Sequence, residues 1–309
     1  MRAVIVVVAV SCTMFSPGVA ALAQQAPYSP PRAVDGKPDL GGIWTNTADA
    51  DLIERPEGAK SLVISREAYE AGKPPAVQTV HGELRSSLIV DPPDGRLPFK
   101  DRSSALVWRQ KYGIYMSGQP APEFTLGPDT LPNRDRCLMA ANAAAPPMTA
   151  QGYNDAHEIV QTPSYVLIAV EMMDEARIVP VVANAAAAAK AHRPSALPRW
   201  TGDSVGWWEG DVFVIETVSI DPRQGGQSAT PMSKDAKVVE RFTRISDNEL
   251  LYQTEVTDPA IYTRPWKTES SFERSAGRIW EYACHEGNNG MAGILSGVRK
   301  TERDEGSRK

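Results

Sequence analysis

Beyond residue 165 the chain repeats one pattern: a short run of β-forming residues followed by a turn signal. Residues 165–170 and 177–182 are apolar runs separated by Asp174-Glu175. Trp207-Trp208 and residues 212–217 flank Glu209-Gly210-Asp211, a hairpin signature. Residues 238–245 end at Ser246-Asp247-Asn248, and residues 250–257 end at Asp258-Pro259. Residues 262–272 end at Ser275-Ala276-Gly277, and residues 279–285 close the series. Consecutive strands with short turns bury one face by pairing in order. The expected fold is mainly β, an antiparallel meander closing into a barrel or sandwich.

The N-terminal half adds helices to this frame. Ser65 as N-cap and Gly72 as stop predict a short helix over 65–71. Val107, Trp108, Tyr112 and Tyr115 recur at helical spacing, which predicts a longer helix over 104–116. Residues 118–150 are crowded with Pro, Asn, Asp and Ala and read as loop, and an Ala-rich piece over 183–192 reads as a helical flap. Residues 24–37 read as a flexible lead-in, 38–298 as a single domain, and 299–309 as a charged, solvated tail.

The first residues read as an export signal. Met1-Arg2 is basic, residues 3–10 are apolar, and Ala21-Leu22-Ala23 offers a small-x-small cleavage site. A spanning helix needs about 20 apolar residues, and Ser11, Cys12 and Pro17 interrupt this run early. Cleavage after Ala23 leaves 286 of the 309 residues and moves the formal charge from −5 to −6 by removing Arg2. The destination is the periplasm or the medium; lipidation at Cys12, after Ala9-Val10-Ser11, is the alternative. A mildly acidic surface excludes nucleic acid and anionic lipid as partners. No other apolar stretch is long enough for a membrane span. Cys137 and Cys284 remain, and in an oxidising compartment they are expected to pair, the alternative being two free thiols.

Alternation along strands sorts the polar residues by face. Tyr262, Arg264, Trp266 and Thr268 would share one face, as would Glu281, Ala283 and His285, and as would Leu251, Gln253 and Glu255. That mixture suits a wet cavity that stacks a ring and binds its edges; an outer face with cross-strand ion pairs is the alternative. Within Cys284-His285-Glu286-Gly287-Asn288, His285 is a candidate proton shuttle, with Glu286 or Glu171 as its carboxylate. Glu171 closes an apolar run, where burial would raise its pKa. Arg264, Trp266, Tyr262, Asn288 and Arg177 are candidate ligand-binding residues. His81, His157, His192 and His285 form no metal-binding spacing, and neither G-x-S-x-G nor a phosphate-cradling Gly loop occurs; Leu295-Ser296-Gly297 reads as a turn. No metal and no cofactor is expected.

Several blocks also carry a resemblance: Pro38-Asp39-Leu40 with Gly42 and Trp44, Glu158 to Pro163, Glu171-Met172 with Arg177, Trp208-Glu209-Gly210-Asp211, Thr263-Arg264-Pro265-Trp266, and Glu281 to Asn288. Together they resemble a large family of exported bacterial proteins to which no reaction is assigned. The resemblance spans most of residues 38–297 and implies export and shared architecture. The chain departs from that pattern at residues 184–192, where the family has a short polar turn, so a shared lid is not carried over. The Gly-x-Trp start also resembles lipocalin-like barrels.

The functional expectation is a protein that encloses a small organic ligand and performs non-redox acid/base chemistry on it, of lyase, isomerase or hydrolase type. The alternatives are a carrier of an apolar small molecule and an envelope interaction protein with no pocket. Polar groups converging in a concavity favour the first, an apolar cavity the second, and a filled core the third.

Overall fold

The computed structural model describes residues 28–46, 53–72, 78–103, 127–128, 131, 133–194, 198–224 and 230–306. The segments expected to be an export signal and a helix over 104–116 lie outside the described residues. Thirteen strands are described: β1 Gly42–Asn46, β2 Val63–Ile64, β3 Gln78–Val80, β4 Glu83–Arg85, β5 Ile89–Asp91, β6 Ala156–Gln161, β7 Tyr165–Val170, β8 Glu175–Pro180, β9 Asp203–Glu209, β10 Val212–Val218, β11 Lys237–Arg244, β12 Glu249–Thr257 and β13 Trp266–Arg274. The helices are α1 Arg66–Glu70, α2 Ala185–Ala191 and α3 Gly290–Gly306.

Nine strands form an almost closed antiparallel barrel in the order β8-β7-β6-β1-β13-β12-β11-β10-β9, with β5 also paired to β13. The seam closes next to β8, where Val181 bridges Gly206 of β9 and the Val182 N–H donates to the Gly206 carbonyl. Gly206 is required there. A Cβ would stand 2.6 Å from the Phe213 ring and 3.0 Å from Val179. The small β2-β4-β3 sheet lies outside the barrel order.

Inward positions follow strict alternation. Val166, Ile168 and Val170 line the lumen from β7, Val238, Glu240, Phe242 and Arg244 from β11, and Leu250, Tyr252, Thr254 and Val256 from β12. The Gly-x-Trp start fixes the beginning of the barrel. Trp44 is fully buried, its indole N–H donates to the Leu40 carbonyl at 2.9 Å, and Arg244 and Arg274 lie over its ring. Gly42 has φ +130°, and a Cβ there would meet the Arg274 guanidinium at 2.9 Å, so the position needs glycine twice over. A second core joins Ile89, Val256, Tyr262 and Trp266.

Helix α2 is the flap read from the alanine run. It lies outside β9 and β10 through Ala188, which packs with Val205, Trp207 and Val214. His192, just past its end, is held between Asp203 (3.0 Å) and Glu216 (3.3 Å).

Three expectations are corrected. Residues 279–285 form no strand, because β13 is already paired with β1, β5 and β12; the segment runs as a strap across loops instead. Strand β13 begins at Trp266, with residues 262–265 in an irregular turn ahead of Pro265. Residues 299–306 continue helix α3, which also contains Leu295-Ser296-Gly297, and Arg299–Glu302 and Lys300–Asp304 pairs line it. In the segment read as a lead-in, Arg32 makes a two-point pair with Asp211 and Tyr28 donates to Asp247. Among the described residues no helix is long and apolar enough to cross a membrane.

Candidate functional site

The barrel lumen is occupied by the chain's own residues 139–150. Ala140, Ala143, Ala144 and Met148 pack with Trp44, Ile168, Phe242 and Phe272 in one cluster, and Met139, Ala145 and Ala150 are buried as well. The sequence expectation of a loop here is met, but the loop is interior. Near its start, Cys137 is bonded to Cys284 of the C-terminal strap. The strap is fixed further by Glu171, which accepts from the Asn154 side chain and from the Trp280 N–H, and by Asp174, which accepts from the Tyr282 N–H.

A polar network crosses the lumen beneath this segment. Arg177 of β8 donates to both oxygens of Glu240 on β11 at 2.7 and 2.8 Å, and both residues are buried. The Tyr252 hydroxyl donates to Glu240 at 2.8 Å and accepts from the Met148 N–H at 3.0 Å. Burial, followed by the Glu240 charge, holds the Tyr252 phenol well above its usual value. Burial works against the Arg177 charge, but Glu240 outweighs it and the net shift is upward.

A second group of titratable side chains meets the same segment at one end of the barrel. His157, Val170 and Glu175 lie in one cross-strand row on β6, β7 and β8. Glu175 accepts from the Ala140 N–H at 2.6 Å, while its other oxygen is buried without a partner. His157 has Nε2 3.3 Å from the Ala143 carbonyl and Nδ1 3.1 Å from the Asp155 carbonyl. Burial pulls its pKa down to about 4 despite the two carbonyls, so the ring is neutral and donates to one of them only. Asp155 is buried with neither carboxyl oxygen in hydrogen-bond geometry; burial pushes it up to about 8. Burial also pushes Glu175 up to about 7.

The residues singled out from sequence do not meet at one place. His285 and Glu286 are exposed on the strap. Arg264 is exposed and paired with both oxygens of Asp91. Trp266 is fully buried against Tyr262, whose hydroxyl donates to the Pro231 carbonyl. Asn288 donates to the Asp135 carbonyl beside the disulfide. Glu171 anchors the strap, and Arg177 alone of these residues reaches the lumen network. Gln253 and Glu255 face outward, where they join Glu269 and Lys267 in a polar ladder beside an open depression of about 220 Å³.

Sequence reading missed Glu240, Tyr252, His157, Asp155 and Glu175. A signal existed for the first two: at inward positions of alternating strands, Glu240 falls between Val238 and Phe242, and Tyr252 between Leu250 and Thr254. No comparable signal marks residues 139–150, whose Ala, Pro and Asn content is that of a surface loop.

The outer surface also holds an apolar row, Val160, Leu167 and Ile178 on neighbouring strands, flanked by Tyr165; Ile178 is 65% and Tyr165 51% exposed. Among the described residues no group of three or more His, Cys, Asp and Glu side chains is arranged to hold a metal ion. No protein-family model, curated protein or solved structure matches this chain.

Proposed function

We propose that this chain is an exported barrel protein that encloses a small polar organic ligand in the lumen now filled by residues 139–150. The observation that carries this reading is where the wall directs its hydrogen bonds. Glu175, His157 and Tyr252 each meet a main-chain N–H or carbonyl of that segment, at Ala140, Ala143 and Met148. The strands supply large apolar side chains to the interior, Trp44, Ile168, Phe213, Phe242 and Phe272 among them, as any barrel core does. They add donors and acceptors aimed at amide groups, and the side chains received from the segment are mostly alanine and proline. A small molecule bearing an amide or carboxylate satisfies the same groups.

Within this reading the proton-handling groups are His157, which is neutral and faces the segment, and Tyr252, in place of His285. Arg177, held rigid by Glu240, supplies positive potential for a carboxylate or a developing oxyanion. The test is a thermal-shift panel of N-acetyl amino-acid amides and short alanine- or proline-containing peptides. A member that binds the folded state at 100 times its Kd stabilises it by about 2.7 kcal/mol. The effect should disappear in Tyr252→Phe. A panel without any saturable shift rejects the reading.

The runner-up is an interaction protein, the reading that a filled core also favours, acting by self-association through the Val160, Leu167, Ile178 row. Sedimentation over a concentration series separates the two: association lost in Ile178→Lys belongs to the runner-up.

A further inference from the structure

We propose that residues 139–150 form an acid-held plug, seated in the lumen at mildly acidic pH and displaced from it at alkaline pH, while the Cys137–Cys284 disulfide keeps its near end attached. The consequence, a lumen opened to ligand, rests on the function proposed above. The displacement itself does not.

Three carboxyl groups face the plug, Glu240 and Asp155 buried and Glu175 half-buried with one oxygen out of contact with water, and they differ in one respect. Glu240 has a bidentate guanidinium and a phenol as partners. Asp155 meets no cation and only the Gln151 backbone, outside strict hydrogen-bond geometry, and Glu175 has the Ala140 N–H on one oxygen with the Ala144 backbone beside it. A carboxylate taken out of water without a counter-charge is strongly unfavourable, whereas the neutral acid is tolerated. Seating the plug is what keeps Glu175 dry, because its bonded oxygen is met by Ala140 of the plug itself. The backbone of Gln151, just past the far end of the plug, faces Asp155.

The other charges in reach do not rescue these groups. The Asp155 carboxyl faces His157 at 3.9 Å, and that ring is neutral. Glu175 faces Arg134, which already donates to Gln151. Glu171 and Asp174, in the adjoining turn, are occupied by Asn154 and by strap N–H groups. Arg177 lies near His157 but is committed to Glu240. Tyr252 is tied to the same Glu240.

The sign follows from proton linkage. Seated, Asp155 and Glu175 hold their protons to about pH 8 and about pH 7, against 3.8 and 4.5 when solvated. The seated state therefore binds more protons across that interval and loses stability as pH rises through it. His157 acts oppositely between about 4 and 6.5, where the exposed ring would take a proton that the buried one refuses. It offsets one of the two carboxyls over that part. The net direction is release with rising pH, steepest near neutrality. Beyond these carboxyls the plug is held by the Tyr252 and His157 hydrogen bonds and by the packing of five buried alanines and two buried methionines.

Hydrogen–deuterium exchange of the full chain with the disulfide intact tests this, comparing amides of residues 139–150 with those of β11–β13 at pH 5.5 and 8.5, each corrected for intrinsic exchange. Plug protection should fall on the order of 10³-fold between the two values, while the strands keep theirs. Glu175→Gln and Asp155→Asn, neutral at every pH, should each retain part of the protection at pH 8.5, and the double variant most of it. Equal protection of the plug at both values overturns the proposal. So does a loss that the double variant shares, or a loss that the strands undergo equally. None of these outcomes requires a ligand, so they are separable from failure of the ligand panel.

Discussion

Arg177 on β8 and Glu240 on β11 meet across the barrel through two parallel hydrogen bonds at 2.7 and 2.8 Å, with both side chains out of contact with water. The pair joins opposite walls and sets the floor on which Tyr252 and Met148 rest. Removing one member leaves the other charged and dry. Arg177→Met should cost about 3–5 kcal/mol in urea denaturation, and Arg177→Met with Glu240→Leu should recover most of it. A double variant as unstable as the single one would mean that the pair is not the source of the loss.

Asp155 gives a stability prediction with a definite sign. Its folded-state pKa of about 8 lies above the ordinary 3.8, so the folded protein loses stability as pH rises through that window. Glu175, at about 7, adds to the loss over the lower part. The thermal midpoint of the wild type should be lower at pH 8.5 than at pH 5.5, and Asp155→Asn should narrow the gap. A midpoint that rises over this interval contradicts the burial of Asp155 as an unpaired acid.

The disulfide closes a separation of 147 residues between the plug arm and the strap. Thiol titration of denatured, unreduced protein should find neither Cys137 nor Cys284 free. In the chain-entropy picture Cys137→Ser with Cys284→Ser costs up to about 5 kcal/mol. Two titratable thiols reject the bond.

His285 is exposed at the end of the strap, and no side-chain hydrogen bond of its own is found among the described residues. His285→Gln should therefore change stability by less than about 0.5 kcal/mol. A loss of several kcal/mol in a denaturant titration would mean that the imidazole satisfies buried backbone. Unchanged turnover in the same variant would agree with His157 and Tyr252 as the proton-handling groups.

The barrel was legible because its signals are local. Alternation and turn chemistry located β7 and β9 to β12 with small shifts at their ends, and Gly42 with Trp44 marked the first strand. The strap was misread because residues 279–285 have strand propensity. Nothing in a single sequence records that the neighbouring edges are already occupied. The candidate site failed for a related reason. Polar clusters such as His285-Glu286 attract attention when they are contiguous, whereas Glu240, Tyr252 and His157 converge only through the register of distant strands. Residues 139–150 were hidden most deeply. Alanine and proline fill a polar lumen by being small, and the same composition describes a solvated loop.

The most direct test of the lumen as a ligand-holding space uses the plug as its own probe. Ala143→Asp places a charge where the segment enters the apolar cluster, and the full-length variant should fold with residues 139–150 displaced. A synthetic peptide copying residues 139–150, added at up to millimolar concentration because it replaces a tethered segment, should then raise the thermal midpoint saturably. A variant that does not fold, or that folds and ignores the peptide, would mean that the segment is ordinary core and the lumen holds no ligand.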